Sequence, residues 1–138
     1  MSGACVIKYY NYPGVGVRNR QYLNYSQACR VGDNIECAGQ GGWDPLNGSI
    51  PASIDEQIDQ AFENVDLALK KAGGKGWSQV YKIRSYHVAM DNACLVAMIR
   101  NLQKWCPNHG PLWTSLGVEK LAEAKMVVEI EAEAYDPR

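Results

Sequence analysis

Residues 125–135, with the sequence K-M-V-V-E-I-E-A-E-A-Y, constrain the fold more than any other part of the chain. Apolar residues alternate there with Glu129, Glu131 and Glu133. A strict period of two predicts a β-strand with one apolar face and one acidic face. Three carboxylates on one strand face repel one another unless water or a partner group relieves the repulsion. The acidic face is therefore either a solvated outer surface or part of a cleft in which one carboxylate handles protons.

The composition is that of an ordinary soluble globular protein, with 46% hydrophobic and 21% charged residues. A length of 138 residues predicts a single domain over residues 1–138. The formal net charge of −1 provides no broad basic field for nucleic acid or anionic membranes. The sequence has no long apolar run that would span a membrane, and residues 1–10 lack the apolar core of a signal peptide. We therefore expect a cytoplasmic protein without membrane or nucleic-acid partners.

The cysteine pattern argues against a zinc site, because the number is odd and no C-x-x-C pair occurs. The five cysteines are Cys5, Cys29, Cys37, Cys94 and Cys106. We expect reduced thiols that are buried as small hydrophobic side chains, and neither a metal nor a cofactor. A cysteine–histidine nucleophile pair remains open. His87, inside a predicted strand, favours a core or interface role, and His109 is expected in a loop.

The clearest predicted element is a helix over residues 54–72. Ser53 and Glu56 have the spacing of a capping box, in which each side chain satisfies a free backbone N–H group. Apolar residues then recur at helical spacing along one face. Gly73 and Gly74 end the helix, because glycine adopts the left-handed conformation that a helix terminus requires without steric cost.

Further elements follow from similar local signals. Asp91 or Asn92 caps a second helix, which Pro107 stops. Residues 11–20 contain Pro13, Gly14 and Gly16 and are predicted to be a loop. Strands are predicted at residues 5–10, in two pieces within 30–38, and at 80–88, 112–118 and 126–135. The order β-β-α-β-α-β-β predicts an α+β fold, with one sheet and two helices on one of its faces.

The second face of that sheet predicts self-association. Two helices cover only one face, and we expect Trp113, Tyr81, Ile83 and Val127 to share the other with the glutamates. A face that mixes apolar and charged side chains usually meets another subunit. We therefore expect a homo-oligomer with clefts between its subunits.

Three segments together resemble the RidA/YjgF family, also called the L-PSP endoribonuclease family. The run from Tyr25 to Gln40 (Y-S-Q-A-C-R-V-G-D-N-I-E-C-A-G-Q) resembles the family signature. Residues 54–74 resemble the family's first helix, and V-E-I-E-A at 128–132 resembles its closing motif. The resemblance covers the chain from about Tyr25 to its end. It implies a chorismate-mutase-like fold and a homotrimer with three ligand clefts between subunits.

The resemblance also implies an activity. Active members of the family hydrolyse imines and enamines to ketoacids and ammonia, with an arginine that grips the substrate carboxylate and a glutamate that orients water. In this sequence the glutamate corresponds to Glu129 and the family's tyrosine to Tyr25. The backbone donors of the family correspond to Ala38, Gly39 and Gln40.

The sequence departs from the family where the arginine is expected. The family's P-x-R-[ST] motif reads P-L-W-T-S at residues 111–115, so that Trp113 occupies the arginine position. Ser115 occupies a position that is often cysteine. This version resembles an arginine-less branch that includes YjgH-like proteins. Tryptophan cannot make the paired, charge-assisted bonds of a guanidinium, but its flat ring can stack on an aromatic or cationic ligand. Trp113 either contacts a ligand or only packs between subunits.

The function predicted from these features is a RidA-like hydrolase that deaminates small imines or enamines, with a specificity altered by Trp113. Glu129 is the predicted catalytic residue. Another cation, from Arg30, Arg84 or Lys125, remains an open possibility for binding the substrate. The predicted substrate-binding residues are Tyr25, Ala38, Gly39, Gln40, Trp113, Thr114 and Ser115. The alternatives are a non-catalytic trimer that binds small metabolites and, less favoured because of the charge, an endoribonuclease.

Overall fold

The computed structural model describes residues 6–138, which form one mixed sheet with helices. The α+β fold class is confirmed. In chain order the elements are β1 (Lys8–Tyr10), α1 (Val15–Leu23), β2 (Ala28–Val31), β3 (Asn34–Gln40), α2 (Ile54–Lys71), a short 3-10 helix (Gly76–Gln79), β4 (Val80–Val88), α3 (Asn92–Trp105), β5 (Leu112–Val118) and β6 (Val128–Tyr135).

The sheet has the strand order β1-β2-β3-β6-β4-β5, so the last strand of the chain lies inside the sheet. Its neighbours β3 and β4 both run antiparallel to β6, whereas β4 and β5 are parallel and are connected through α3. Along β6 the residues Val128, Ile130, Ala132 and Ala134 are buried and alternate with half-buried glutamates. The predicted two-faced strand is confirmed. Its central position follows because only a strand with an apolar face can pack beneath the helices.

Both predicted helices are present, and Ser53 and Asp91 each cap the N-terminus of one. The Ser53 hydroxyl accepts a hydrogen bond from the Glu56 N–H at 3.3 Å, and the Asp91 carboxylate accepts one from the Cys94 N–H at 3.0 Å. Gly73 follows α2 with a φ of +92°. The buried stripe of α2 packs against β3 and β6, and α3 packs against α2. No helix within residues 6–138 has the length and apolar character needed to cross a bilayer.

The predicted loop at residues 11–20 is wrong, because most of that segment belongs to α1. Gly14 precedes the helix with a φ of +82°, and a Cβ there would lie 2.3 Å from the Pro45 carbonyl oxygen. That oxygen accepts a hydrogen bond from the Val15 N–H at 2.8 Å. Gly16 lies inside the helix, where glycine costs about 1 kcal/mol relative to alanine. Its missing side chain lets the helix approach the ring of Tyr12, so tertiary packing overrides local propensity.

The predicted strand at residues 5–10 is present as Lys8–Tyr10, and Cys5 lies outside the described residues. The element order inferred from the sequence therefore lacked α1, and the sheet of the described chain has six strands.

The assignment of Ile83 and Trp113 to the acidic face is also wrong. Ile83 lies opposite the buried Ala132 and is in register with Trp113, so both belong to the helix-covered face. The cause is a register shift in β4 between Val80 and Lys82, since one extra residue exchanges the faces of all that follow. The acidic face instead carries Glu36, Lys82, Arg84 and Tyr86 beside the β6 glutamates.

Candidate functional site

A cavity of about 460 Å³ lies where α1 meets the start of β6. It contains both Glu129 and Tyr25, the predicted catalytic residue and the predicted tyrosine. Other cavities of similar volume exist, so size alone does not identify the site. The Glu129 cavity differs from them in combining that carboxylate with an arginine and three aromatic rings. Its lining comprises Arg18, Asn19, Tyr22, Leu23, Tyr25, Trp43, Ala122, Glu123, Met126 and Glu129.

Glu129 is held against the backbone of β3. It is half-buried on the face of β6 opposite the one that α2 covers. A Cβ at Gly39 would lie 2.5 Å from the carboxyl carbon and from Oε1 of Glu129. Any other residue at position 39 would therefore displace this side chain. The glycine of the A-G-Q segment is required here because it permits the close approach of a carboxylate.

Burial raises the pKa of the Glu129 carboxyl above its ordinary value, and the negative charge of Glu131 raises it further. Both effects disfavour the ionised form. A carboxyl group with a raised pKa can exchange protons closer to neutral pH, which suits general acid–base chemistry. Tyr86 lies opposite Glu129 on β4, but its hydroxyl donates to the carboxylate of Glu131.

Tyr25 is positioned by the helix that the sequence did not predict. Its hydroxyl oxygen accepts a hydrogen bond from Nδ2 of Asn19 at 2.8 Å. Asn19 is buried on α1, and its Oδ1 accepts a hydrogen bond from Nε of Arg18 at 3.3 Å. Arg18, Asn19 and Tyr22 were not predicted from the sequence because Gly14 and Gly16 favoured a loop where the structure has a helix. The available signal was the i, i+4 spacing of Arg18 and Tyr22.

Hydrogen bonds to other parts of the same chain hold the A-G-Q segment, residues 38–40, in place. The Ala38 N–H donates to the Gln27 carbonyl at 2.8 Å, so this donor is already used. The Gln40 side chain is fully buried, donates to Gln27 Oε1 at 2.7 Å and accepts from the Tyr12 hydroxyl at 2.7 Å. The same hydroxyl accepts from the indole of Trp43 at 3.0 Å, which places that ring in the cavity wall. Gly39, one of the three predicted donors, lies directly against Glu129.

Trp113 and Ser115 lie apart from Glu129 within one chain. They occupy β5, which is separated from β6 by β4, and Trp113 is on the opposite face of the sheet. The Trp113 indole donates to Ser85 Oγ at 2.9 Å, and the Ser115 hydroxyl contacts the sulfur of Met90 at 3.5 Å. Thr114 is exposed beside Arg84. A cleft that holds Glu129 together with Trp113 would therefore need two chains.

Neither histidine contributes to the cavity. His87 is fully buried, with Nε2 2.8 Å from Ser85 Oγ, and burial lowers its pKa. His109 Nε2 lies 2.8 Å from the Val80 carbonyl oxygen. The four described cysteines are unpaired, and burial raises the pKa of Cys37 to about 12. Residues 6–138 contain no cluster of three or more His, Cys, Asp or Glu side chains that could hold a metal ion.

Comparison with known proteins places this geometry in a family. The sequence profile described as Endoribonuclease L-PSP matches residues 18–136. No match is found among curated proteins.

Several solved structures share the fold. Rv2704 from Mycobacterium tuberculosis, described as a member of the YjgF/YER057c/UK114 family, has a TM-score of 0.76 and 23% identity over 94% of this chain and 99% of its own. The protein YjgH has a TM-score of 0.77 and 24% sequence identity, and the match covers 94% of this chain and 95% of YjgH. RidA from the Antarctic bacterium Psychrobacter sp. PAMC 21119 has a TM-score of 0.73 and 28% sequence identity. That match covers 80% of this chain and 87% of RidA. The chain therefore belongs to the endoribonuclease L-PSP family, the RidA/YjgF family, with its chorismate-mutase-like fold.

Proposed function

We propose that this chain is a hydrolase that deaminates small imines or enamines, and that Glu129 is its catalytic residue. The proposal depends mainly on one observation: the Glu129 carboxyl is half-buried in a cavity, held against Gly39, with a raised pKa. Such a group can hold a water molecule and take a proton from it. Membership of the RidA/YjgF family also supports this chemistry.

The reaction needs no nucleophilic side chain, because the carbon of a C=N bond is already electrophilic. In the proposed step Glu129 accepts a proton from water while the water oxygen bonds to that carbon. The electron pair of the C=N bond moves to nitrogen, and Glu129 returns the proton to that nitrogen. The proton of the new hydroxyl group then passes through Glu129 to the nitrogen, and the C–N bond breaks with its electron pair leaving on ammonia while a carbonyl group forms. One imine and one water thus yield one ketone and one ammonia. The Tyr25 hydroxyl, at the same cavity, is proposed to contact the substrate.

We also propose that the site is completed by self-association as a homotrimer. Leu112 and Leu116 on β5 are 67% and 41% exposed, and they lie beside Lys82 and Tyr86 on the acidic face, which therefore carries both charges and apolar groups. Such a face is typical of an interface. A second chain would bring its edge strand β5 to the Glu129 cavity of the first, with Thr114 on the acidic face and Trp113 and Ser115 on the other face of the same strand. Analytical ultracentrifugation of the purified protein tests the assembly.

Ammonia release from imines generated in solution tests the catalytic proposal. Glu129→Gln keeps the shape of the side chain but cannot accept the proton, and we expect it to lower kcat by about 100-fold or more. Glu133→Gln is the matched control, since Glu133 lies on the same face of β6 outside the cavity. Turnover by Glu129→Gln at the wild-type rate would contradict the proposal.

A non-catalytic binding protein is the second candidate, and Trp113 in place of the family arginine favours it. Without that guanidinium, a bound carboxylate loses a strong orienting contact at this position. In this case a ligand would raise the Tm of wild type and Glu129→Gln equally, with no ammonia released from any imine.

An endoribonuclease is disfavoured by the acidic sheet face and the net charge of −1. RNA cleavage by the wild type that disappears on substitution of Glu129 would instead favour the endoribonuclease over the other two functions.

A further inference from the structure

The lining of the Glu129 cavity includes an arginine, Arg18, that neither the sequence motifs nor the family resemblance assigns. We propose that Arg18, on α1, binds the anionic end of the ligand in this cavity, and that the ligand is a small carboxylate with an aromatic or alkyl body. The inference rests on the proposed function of the Glu129 cavity and extends it to the class of substrate. It also supplies a cation for the proposed reaction, which Trp113 cannot provide.

Arg18 is free to bind an anion. Within residues 6–138 it forms no ion pair with any carboxylate, and its Nε donates a hydrogen bond to the neutral side chain of Asn19. Arg100, by contrast, pairs with Asp59 at 2.9 Å. A guanidinium without a carboxylate partner at a cavity wall retains several donors for a ligand, two of which match the two oxygens of a carboxylate.

The other cations considered from the sequence lie elsewhere. Arg30 is buried in an ion pair with Asp136. Arg84 is opposite Glu131 on the acidic face, two strands from the A-G-Q segment. Lys125 is exposed and does not line the Glu129 cavity. Arg18 is the basic side chain in that lining.

The position of Arg18 is built into the fold. Gly48, with a φ of +81°, faces its guanidinium, and a Cβ there would lie 2.9 Å from Nη1. The missing side chain at Gly48 therefore makes room for the guanidinium. On the other side, Asn19 connects Arg18 to the hydroxyl of Tyr25 through bonds of 3.3 and 2.8 Å. This Arg18–Asn19–Tyr25 chain joins the cation to the cavity that contains Glu129.

The remaining walls determine the body of the ligand. Tyr22, Leu23, Trp43 and Met126 present aromatic and aliphatic surface. A volume of about 460 Å³ exceeds what a carboxylate alone requires and falls in the usual range for small-molecule sites. The acidic groups in the lining are Glu123 and Glu129, so the carboxylate of a ligand is expected at the Arg18 end, away from them.

Binding of phenylacetate and of its neutral counterpart phenylacetamide tests the inference by titration calorimetry of the full chain. We expect Arg18→Gln to weaken phenylacetate binding by about 10-fold or more and to leave phenylacetamide binding unchanged. Arg20→Gln is the matched control, because Arg20 is on the same helix, donates to Asn24 at 2.7 Å and does not line the cavity. We expect it to change neither ligand. Circular dichroism and Tm establish that each variant is folded.

Three results would overturn the inference. They are no binding of phenylacetate to the wild type, equal affinity of wild type and Arg18→Gln for it, and an equal loss for the acid and the amide. None of these measurements involves turnover. If Glu129→Gln abolishes ammonia release while Arg18→Gln binds phenylacetate normally, the role of Arg18 is refuted and the proposed function stands. If Arg18 proves selective for the acid but no imine is hydrolysed, the proposed function fails and the anion site remains.

Discussion

The carboxylate of Glu129 lies against the α-carbon of Gly39, so close that a Cβ at residue 39 would be 2.5 Å from the carboxyl carbon. This contact joins β6 to the irregular segment of β3 between Cys37 and Gln40. It explains structurally why a glycine and a glutamate that are distant in sequence belong to one site. The orientation of the proposed catalytic group therefore depends on the absence of a side chain on the neighbouring strand.

Gly39→Ala is expected to lower ammonia release by about 10-fold or more, because the added methyl group moves Glu129 out of position. It should also destabilise the protein, since contacts of 2.5 Å are not tolerated. A double-mutant cycle with Glu129→Ala separates the causes. Residues in contact couple by about 0.5–3 kcal/mol, so urea denaturation should show a smaller cost of Gly39→Ala in the Glu129→Ala background. Equal costs in both backgrounds would contradict the contact.

Stability should depend on pH through Glu129. Its pKa is raised in the folded protein, so the folded state binds more protons than the unfolded state between the ordinary glutamate pKa and the raised value. The favourable contribution is complete below the ordinary pKa and is lost as pH rises through the raised one. The free energy of unfolding of Glu129→Gln should therefore equal that of wild type at about pH 4, and the variant should become the more stable protein as pH rises. Urea denaturation measures the difference, and one that did not change with pH would contradict the shift.

Glu36 and Glu133 are directly opposite each other on β3 and β6. Burial, a hydrogen bond with Glu133 and the charge of Glu133 raise the pKa of Glu36. Removing one of two like charges that face each other should stabilise the sheet, so Glu36→Gln is expected to gain about 0.5 kcal/mol at neutral pH. The gain should disappear in acid, where the Glu36 carboxyl is protonated and the repulsion is absent. Glu119→Gln, at an exposed site after β5, should show no such gain in the same denaturation series.

Trp113→Phe should destabilise the protein by about 1 kcal/mol, because the Ser85 hydroxyl loses the indole donor at 2.9 Å. In a Ser85→Ala background the same substitution should cost less. Thermal and urea denaturation of the four proteins gives the coupling. If Trp113→Phe is neutral in stability yet changes ligand affinity, the ring serves the ligand rather than the packing of its own chain.

Local signals in the sequence were sufficient for most of the secondary structure. The alternation along β6 is visible because a strand with one buried face repeats every two residues, whatever surrounds it. The caps at Ser53 and Asp91 are equally local, since each side chain bonds to an N–H only three residues away. These elements and the family resemblance together were enough to identify the fold.

Local sequence signals did not predict the helix α1, nor which residues of β4 lie on each face of the sheet. Gly14 and Gly16 indicate a loop when read alone, and only Pro45 and Tyr12, distant in sequence, explain why they accompany a helix. The bulge between Val80 and Lys82 has no clear sequence signature, yet it decides which face Ile83 and Trp113 occupy. In both cases contacts between distant segments outweigh local preference.

The sequence by itself determined the strands, the two capped helices and the candidates Glu129, Tyr25 and Gly39, because each depends on neighbours in the chain or on a motif. Only the tertiary structure decided that Glu129 lies against Gly39 and that Arg18 lines the same cavity. It also separated Trp113 from that cavity within one chain. The physical reason is that a binding site is made of distances between side chains from different elements, and those distances are fixed by packing rather than by local sequence.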